Sequence, residues 1–201
     1  MVKILIKETS ANVLLLKRPS PYSIIKKMCD NKYLKSGWNE ISGLKYGFYI
    51  DLFYHPEYVE KIDVNEYDTS NIVDMSLMFA HCSSMKELNV SNFDTRRVVD
   101  MYGAFKFCHS LVKLDLSNFN TSNVSNMAYM FYGCLSLQEL NLSNFSVKNV
   151  IYNLNMFRQC SKLNYIKCTE EFKDWCLKHQ SVIGLPLSMR EGGDGVWDIV
   201  D

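Results

Sequence analysis

Four cysteines, Cys82, Cys108, Cys134 and Cys160, recur at a single interval of 26 residues, with His81 just before the first and His109 just after the second. Thiolate and imidazole are the ligands of tetrahedral zinc and the groups of thiol redox centres, so this column is the first place to look for chemistry. Its spacing argues against both. His81 precedes its cysteine whereas His109 follows one, so the two rings project differently, and no C-x-x-C or H-x-x-x-H pair occurs in the chain. The expectation is a column of buried structural thiols. His55, His81, His109 and His179 stand at unrelated positions, and no nucleophile elbow, zinc signature or phosphate loop is present. Gly192, Gly193 and Gly195 do not follow a strand and open a helix, so they read as turn glycines. No catalytic residue, cofactor or metal site is expected, and the chain reads as non-enzymatic.

The cysteines are one of several columns. Phe79, Phe105, Phe131 and Phe157 keep the same 26-residue interval, as do Tyr67, Phe93, Phe119 and Phe145, then Met85, Leu111, Leu137 and Leu163, and finally Ile62, Leu88, Leu114, Leu140 and Ile166. A period of about 20–29 residues with the spacing L-x-x-L-x-L-x-x-F predicts one short parallel strand per unit and a return path behind it. Around Leu114 and Leu116 the alternation predicts a strand with Lys113, Asp115 and Ser117 outward. In the stretch SNVSNMAYMFYGC, Val124, Met127, Met130, Phe131 and Cys134 recur at three and four. That predicts a short helical return segment, with Thr121 or Ser122 as its cap. The fold expected is an α/β repeat solenoid: a short leucine-rich-repeat array over residues 58–167, one strand and one short helical segment per unit, with atypical caps at both ends.

The caps are the segments that do not repeat. In residues 168–201, Phe172, Trp175, Cys176 and His179 share a helical stripe after Thr169 as N-cap, with Glu170 and Glu171 in the first turn. The following LSMREGGDGVWDIV reads as a hairpin around the glycine turn. Residues 1–57 form a non-repeating N-terminal segment or cap: a strand in VKILIKE, a helix from Pro21 to Leu34, and an aromatic stretch whose Tyr46, Phe48, Tyr49, Phe53 and Tyr54 cannot all face inward on one strand.

Composition narrows the partners. The 22 basic and 22 acidic residues cancel, and the short basic runs Lys26-Lys27 and Arg96-Arg97 are isolated, so nucleic acid is not expected. No run approaches the roughly 18–20 apolar residues that cross a bilayer, and the alternating start MVKILIKETS lacks the apolar core of a signal peptide. A cytoplasmic, membrane-free chain with free thiols, monomeric on its own, is the expectation. Outward strand positions form the column Lys61, Glu87, Lys113, Glu139, Tyr165, whose alternating signs stabilise the stack by about 0.2–1 kcal/mol per pair. The other outward strand columns are small and polar. Interface hot spots are usually Trp, Tyr or Arg, so the candidate partner-binding residues lie on the return segments: Tyr102, Phe107, Tyr129, Tyr132, Tyr152 and Arg158, together with Arg96 and Arg97, which break the Ser-Asn of other units.

The units NTSNVSNMAYMFYGCLSLQELNLSNF and DTRRVVDMYGAFKFCHSLVKLDLSNF closely resemble the BspA-like leucine-rich-repeat family of bacterial surface proteins. The resemblance rests on the L-x-L-S-N-F strand, the N-M-x-x-M-F return and the C-x-S-L closure, over about residues 60–167. It implies adhesion or partner binding on a repeat scaffold. No signal peptide, lipobox or anchor is expected from these residues, and the fourth unit drifts, with Val147 in the Thr column and Asn153 in the Met column. The expected function is therefore a protein–protein interaction module, a small intracellular effector or inhibitor, with an exported adhesin-like protein as the alternative.

Overall fold

The computed structural model describes residues 3–6, 59–63 and 69–200, the first two stretches as backbone strands. The helix expected over Pro21–Leu34, the aromatic stretch from Tyr46 to Tyr54, Lys26-Lys27, His55, Asn65 and Tyr67 lie outside the described residues. Among those described, the strands are β1 Lys3–Ile6, β2 Val59–Asp63, β3 Glu87–Asn89, β4 Lys113–Asp115, β5 Glu139–Asn141, β6 Tyr165–Thr169 and β7 Val196–Val200. One α-helix, α1, spans Glu170–Lys178, and a 3-10 turn spans Leu187–Met189. The strands form two sheets, ordered β1-β2-β3 and β4-β5-β6-β7.

The 26-residue period becomes a register. Leu114 pairs with Leu140 and Leu140 with Ile166 in parallel ladders, as Ile62 pairs with Leu88. Each central strand residue from Leu114 on is buried, flanked by solvent-facing neighbours, as alternation requires. Behind them the Phe column stacks. Phe79, Phe105, Phe131 and Phe157 lie 5.5–5.6 Å apart, within 10° of parallel. Phe93 and Phe119 make a second stack at 6.2 Å. The result is an α/β repeat-like fold, dominated by parallel ladders with little helix, whose core runs unbroken from Ile72 to Met189.

Polar repeats hold the units together from inside. Thr95 Oγ1 accepts from Asn120 N–H at 2.8 Å and donates to Asn120 O at 3.0 Å. Thr121 does the same with Ser146. Both threonines are buried, so Thr121 links adjacent units instead of capping a helix. The cysteine column is also structural: Cys108, Cys134 and Cys160 donate their thiols at 3.0–3.1 Å to the carbonyls of Phe79, Phe105 and Phe131. Burial pushes the Cys108 and Cys160 thiols well above their usual range.

The return segments are not helical. Each has two residues in the left-handed region: Leu77 and His81, Gly103 and Phe107, Tyr129 and Gly133, Asn155 and Gln159. A right-handed helix cannot pass through such residues. Alternate N–H groups instead leave the segment. Met75, Leu77, Phe79 and His81 donate at 2.7–2.8 Å to Asp100, Tyr102, Ala104 and Lys106 of the next unit, and the following units repeat the pattern. Tight turns such as Met78 N–H to Met75 O, at 3.2 Å, lie between. A chain of turns returns apolar side chains inward at three and four, as a helix does, which is why the sequence pattern suggested one.

At the C-terminal end, Thr169 caps α1 by accepting from Phe172 N–H at 3.2 Å, with Glu170 and Glu171 in the first turn. Phe172 and Cys176 are buried, and the Phe172 ring meets Phe145 edge-on at 6.0 Å. Burial pushes the Cys168 thiol, in β6, up to about 12. The expected hairpin does not form. The leading half becomes the 3-10 turn, held where Ser188 Oγ donates to Leu163 O at 2.6 Å, and β7 pairs parallel to β6 over five residues. At the other end β1 pairs antiparallel with β2.

Candidate functional site

The left-handed columns decide what the return segments show to solvent. Met101, Ala104, Phe105 and Cys108 point inward and are fully buried, while Tyr102, Lys106 and Phe107 stay partly exposed; in the next unit Met127, Met130, Phe131 and Cys134 are inward and Tyr129 and Tyr132 outward. Phe107 and Tyr129 themselves occupy left-handed backbone, at φ +62° and +59°. For a bulky L-residue this costs about 1–2 kcal/mol, and because each return segment carries two such positions the strain belongs to the repeat scaffold. The neighbouring units relieve crowding with glycine. A Cβ on Gly133 would lie 2.5 Å from Phe107 Cδ1, so the Phe107 ring needs that glycine beside it.

The outward aromatic rings are in contact. Tyr129 lies 5.6 Å from Tyr102 and 5.5 Å from Tyr132, and Phe107 lies 5.3 Å from Tyr132, ring centre to ring centre. Phe107 also meets His81 at 4.8 Å and His109 at 5.6 Å. The Lys106 ammonium sits over Phe107, Tyr129 and Tyr132 at 5.1–5.6 Å, a cation–π arrangement made within the chain. Burial lowers the His81 pKa, with Lys106 and then His109 adding in the same direction, so this ring favours its neutral form.

Beside this group lies a groove of about 360 Å³. Tyr102, Tyr129 and Tyr152 line it with Ile151 and Leu154, and Asn126, Asn153 and Ala128 complete it. Asn126 is committed, since its Oδ1 accepts from Ala128 N–H at 3.1 Å and its Nδ2 donates to Asp100 Oδ2 at 3.1 Å. Burial holds the Asp100 carboxyl above its usual range against the hydrogen bonds from Tyr102 N–H and Asn126. Among the described residues the three tyrosine hydroxyls and the Asn153 amide have no hydrogen-bond partner.

Five of the eight candidate residues are thus brought together: Tyr102, Tyr129 and Tyr152 in the groove, Phe107 and Tyr132 in the contiguous aromatic group. Arg158 occupies Tyr132's place one unit on, exposed, with Nη1 3.5 Å from Asn155 Oδ1. Arg96 and Arg97 are engaged elsewhere. Arg96 pairs with Asp94 at 2.6 Å and Arg97 donates to Asn71 Oδ1 at 2.7 Å. Sequence reasoning missed Lys106, Ile151, Asn153 and Leu154 as site residues. For the last three the signal was the drift of the fourth unit, where Asn153 replaces a core methionine and Ile151, Tyr152 and Leu154 become exposed; Lys106 carried no such signal. No group of three or more His, Cys, Asp or Glu side chains among the described residues is arranged to hold a metal ion, and no described helix is long and apolar enough to cross a membrane.

Parallel ladders at a fixed register, a stacked aromatic core and an outward aromatic face define a repeat protein. More particularly, the chain belongs to the family described as "Mycoplasma protein of unknown function, DUF285", whose model matches residues 50–170. That family is related to the BspA-like repeat proteins, which agrees at this coarse level with the motifs of the repeat units. No curated protein and no solved structure matches the chain.

Proposed function

We propose that the units form a leucine-rich-repeat solenoid whose role is to bind another protein, without catalysis. The observation that carries this reading is the outward face of the return segments: three tyrosines and two aliphatic side chains around one groove, beside a mutually packed aromatic group. Aromatic anchors of this kind dominate protein interfaces. The strand face offers less. There Lys113 pairs with Glu139 at 2.6 Å, Lys167 approaches Asp198 at 3.8 Å, and the Tyr165 hydroxyl donates to Asp198, so its long side chains are spent on each other.

An intracellular effector or inhibitor is the favoured setting, because the six described cysteines are free thiols buried in the core, a usage that suits a reducing compartment. An exported, adhesin-like protein is the second reading, and the BspA-like repeat motifs favour it. The test places a photocrosslinking amino acid at position 152 in the tagged full chain, and for comparison at position 115 on the strand face. A discrete protein adduct at 152 and none at 115 is expected in host lysate. An adduct confined to 115 would move the site to the strand face, and no adduct at either position would refute protein binding inside the cell.

A further inference from the structure

We propose that the groove takes a short, uncharged, proline-rich stretch of the partner protein in extended polyproline conformation. This deepens the protein-binding reading and rests on it. The lining residues carry no charge, and the Lys106 ammonium beside the groove is already held over the Phe107, Tyr129 and Tyr132 rings, so a charged side chain would lose its water there with no opposite charge in the lining to offset it. Ile151, Tyr152 and Leu154, all lining the groove, are 71%, 62% and 49% exposed. Two of these three are aliphatic. Aliphatic walls discriminate between ligand classes: a sugar would set its hydroxyls against Ile151 and Leu154 without hydrogen bonds, whereas pyrrolidine rings bury against them.

The polar groups fit the same occupant. A polyproline helix has no internal hydrogen bonds and presents bare backbone carbonyls. The hydroxyls of Tyr102, Tyr129 and Tyr152 and the amide of Asn153 are donors without a partner among the described residues. Dimensions agree as well. Units joined by parallel ladders lie about 4.7–4.9 Å apart. Tyr102 and Leu154, which share one column two units apart, are therefore offset along the stack by about 10 Å; at about 3.1 Å per residue a polyproline segment of about three residues spans it. Grooves lined by aromatic side chains recognise this conformation because its entropy is already low before binding.

The test titrates the full chain with an acetylated, amidated decaproline and with a pooled library of Pro-x-x-Pro peptides lacking Asp, Glu, Lys and Arg, following the ring signals of Tyr102, Tyr129 and Tyr152 by NMR. Saturable shifts are expected, weakened roughly tenfold by Tyr152→Ala and similarly by Leu154→Ser. Both positions are exposed, so these variants keep the parent's thermal midpoint and the loss reports contact. The proposal is overturned if no peptide moves those rings, if binding ignores both substitutions, or if a neutral oligosaccharide such as cellohexaose moves them and peptides do not. The broader reading fails separately: a partner crosslinked at position 152 through a segment without proline sinks only the proline inference, whereas the absence of any protein adduct sinks both.

Discussion

Phe131→Ala tests whether the repeats share one continuous core. Phe131 is fully buried between Phe105 at 5.6 Å and Phe157 at 5.5 Å, with ring planes 5° and 10° from parallel. Truncation strips roughly 150 Å² of apolar surface from the core, worth about 4 kcal/mol at about 25 cal/mol per Å². Two ring contacts go with it, each worth about 0.5–1.5 kcal/mol, while residual burial in the unfolded chain lowers the sum. The gap has little freedom to close. Phe131 N–H donates to Met156 O at 2.9 Å and its carbonyl accepts from Cys160 Sγ at 3.0 Å, and both backbone contacts survive the substitution. A net loss of about 3–5 kcal/mol is expected, which for a chain of this size lowers the thermal midpoint by about 6–20 °C. Phe157→Ala, which loses one recorded ring contact rather than two, is expected to cost less. Urea unfolding followed by tryptophan fluorescence reads both, and a Phe105→Leu, Phe131→Leu double-mutant cycle isolates the stacking energy. A loss below about 1 kcal/mol for Phe131→Ala, against the usual range for a buried aromatic, or zero coupling in the cycle, refutes the continuous stack.

Gly133→Ala places a Cβ 2.5 Å from Phe107 Cδ1 at φ +74°, so a cost of about 1–3 kcal/mol is expected in urea unfolding, with the steric share recovered in a Phe107→Ala background. Thr121→Val removes a buried hydroxyl that both accepts from Ser146 N–H and donates to Ser146 O, leaving both groups unpaired at a cost of about 2–3 kcal/mol, again read by urea unfolding. Asp100 titrates above the ordinary carboxylate value because burial penalises its charge. Folding therefore favours its protonated form, and the penalty, present above both its unfolded and folded pKa values, fades as pH falls through the raised folded value. Asp100→Asn, the residue type found at Asn126, should accordingly show its most favourable unfolding midpoint relative to the parent at neutral pH and lose that advantage on acidification; a difference that does not change with pH refutes the assignment. The six buried thiols, Cys82, Cys108, Cys134, Cys160, Cys168 and Cys176, are expected to resist iodoacetamide in the native protein and to label together on unfolding; rapid native labelling at any of them, mapped by mass spectrometry, contradicts their burial.

The strands were legible because two periods coincide in them. Leu114 and Leu140 obey alternation locally and the 26-residue interval globally, and only a parallel in-register ladder satisfies both. The return segments were not legible, because apolar spacing reports which side chains face inward and is silent on how the backbone brings them there. What distinguishes the turns from a helix is positive φ at eight positions, and six of those hold Leu, His, Phe, Tyr, Asn or Gln. Gly103 and Gly133 were the visible trace. The tail misled for a related reason: glycines 192, 193 and 195 do mark a turn, but Gly195 N–H closes it onto Ser188 O at 2.8 Å, which folds the preceding residues into the 3-10 turn and leaves β7 to pair with β6 alone.

The candidate site was legible as residue types and not as a surface. Tyr102, Tyr129 and Tyr152 belong to three different columns, so no comparison of aligned positions gathers them. They meet where Tyr129, in left-handed backbone, lies 5.6 Å from the Tyr102 ring and where the fourth unit abandons its core methionine for Asn153 next to an exposed Tyr152. The preceding unit places an inward and a small side chain, Met127 and Ala128, where the fourth unit has Asn153 and Leu154. The departures from the repeat thus sit where the scaffold tolerates them, outside the ladder hydrogen bonds that run through Tyr152 O and Leu154 O to the preceding unit. A repeat fixes its backbone through such ladders and leaves the outward side chains free to vary, so specificity is to be sought where the columns break on that side. By the same argument Arg96 and Arg97, which also break a column, are weaker candidates than they looked: their guanidinium groups already have partners in Asp94 and Asn71, whereas the groove tyrosines keep their hydroxyls available.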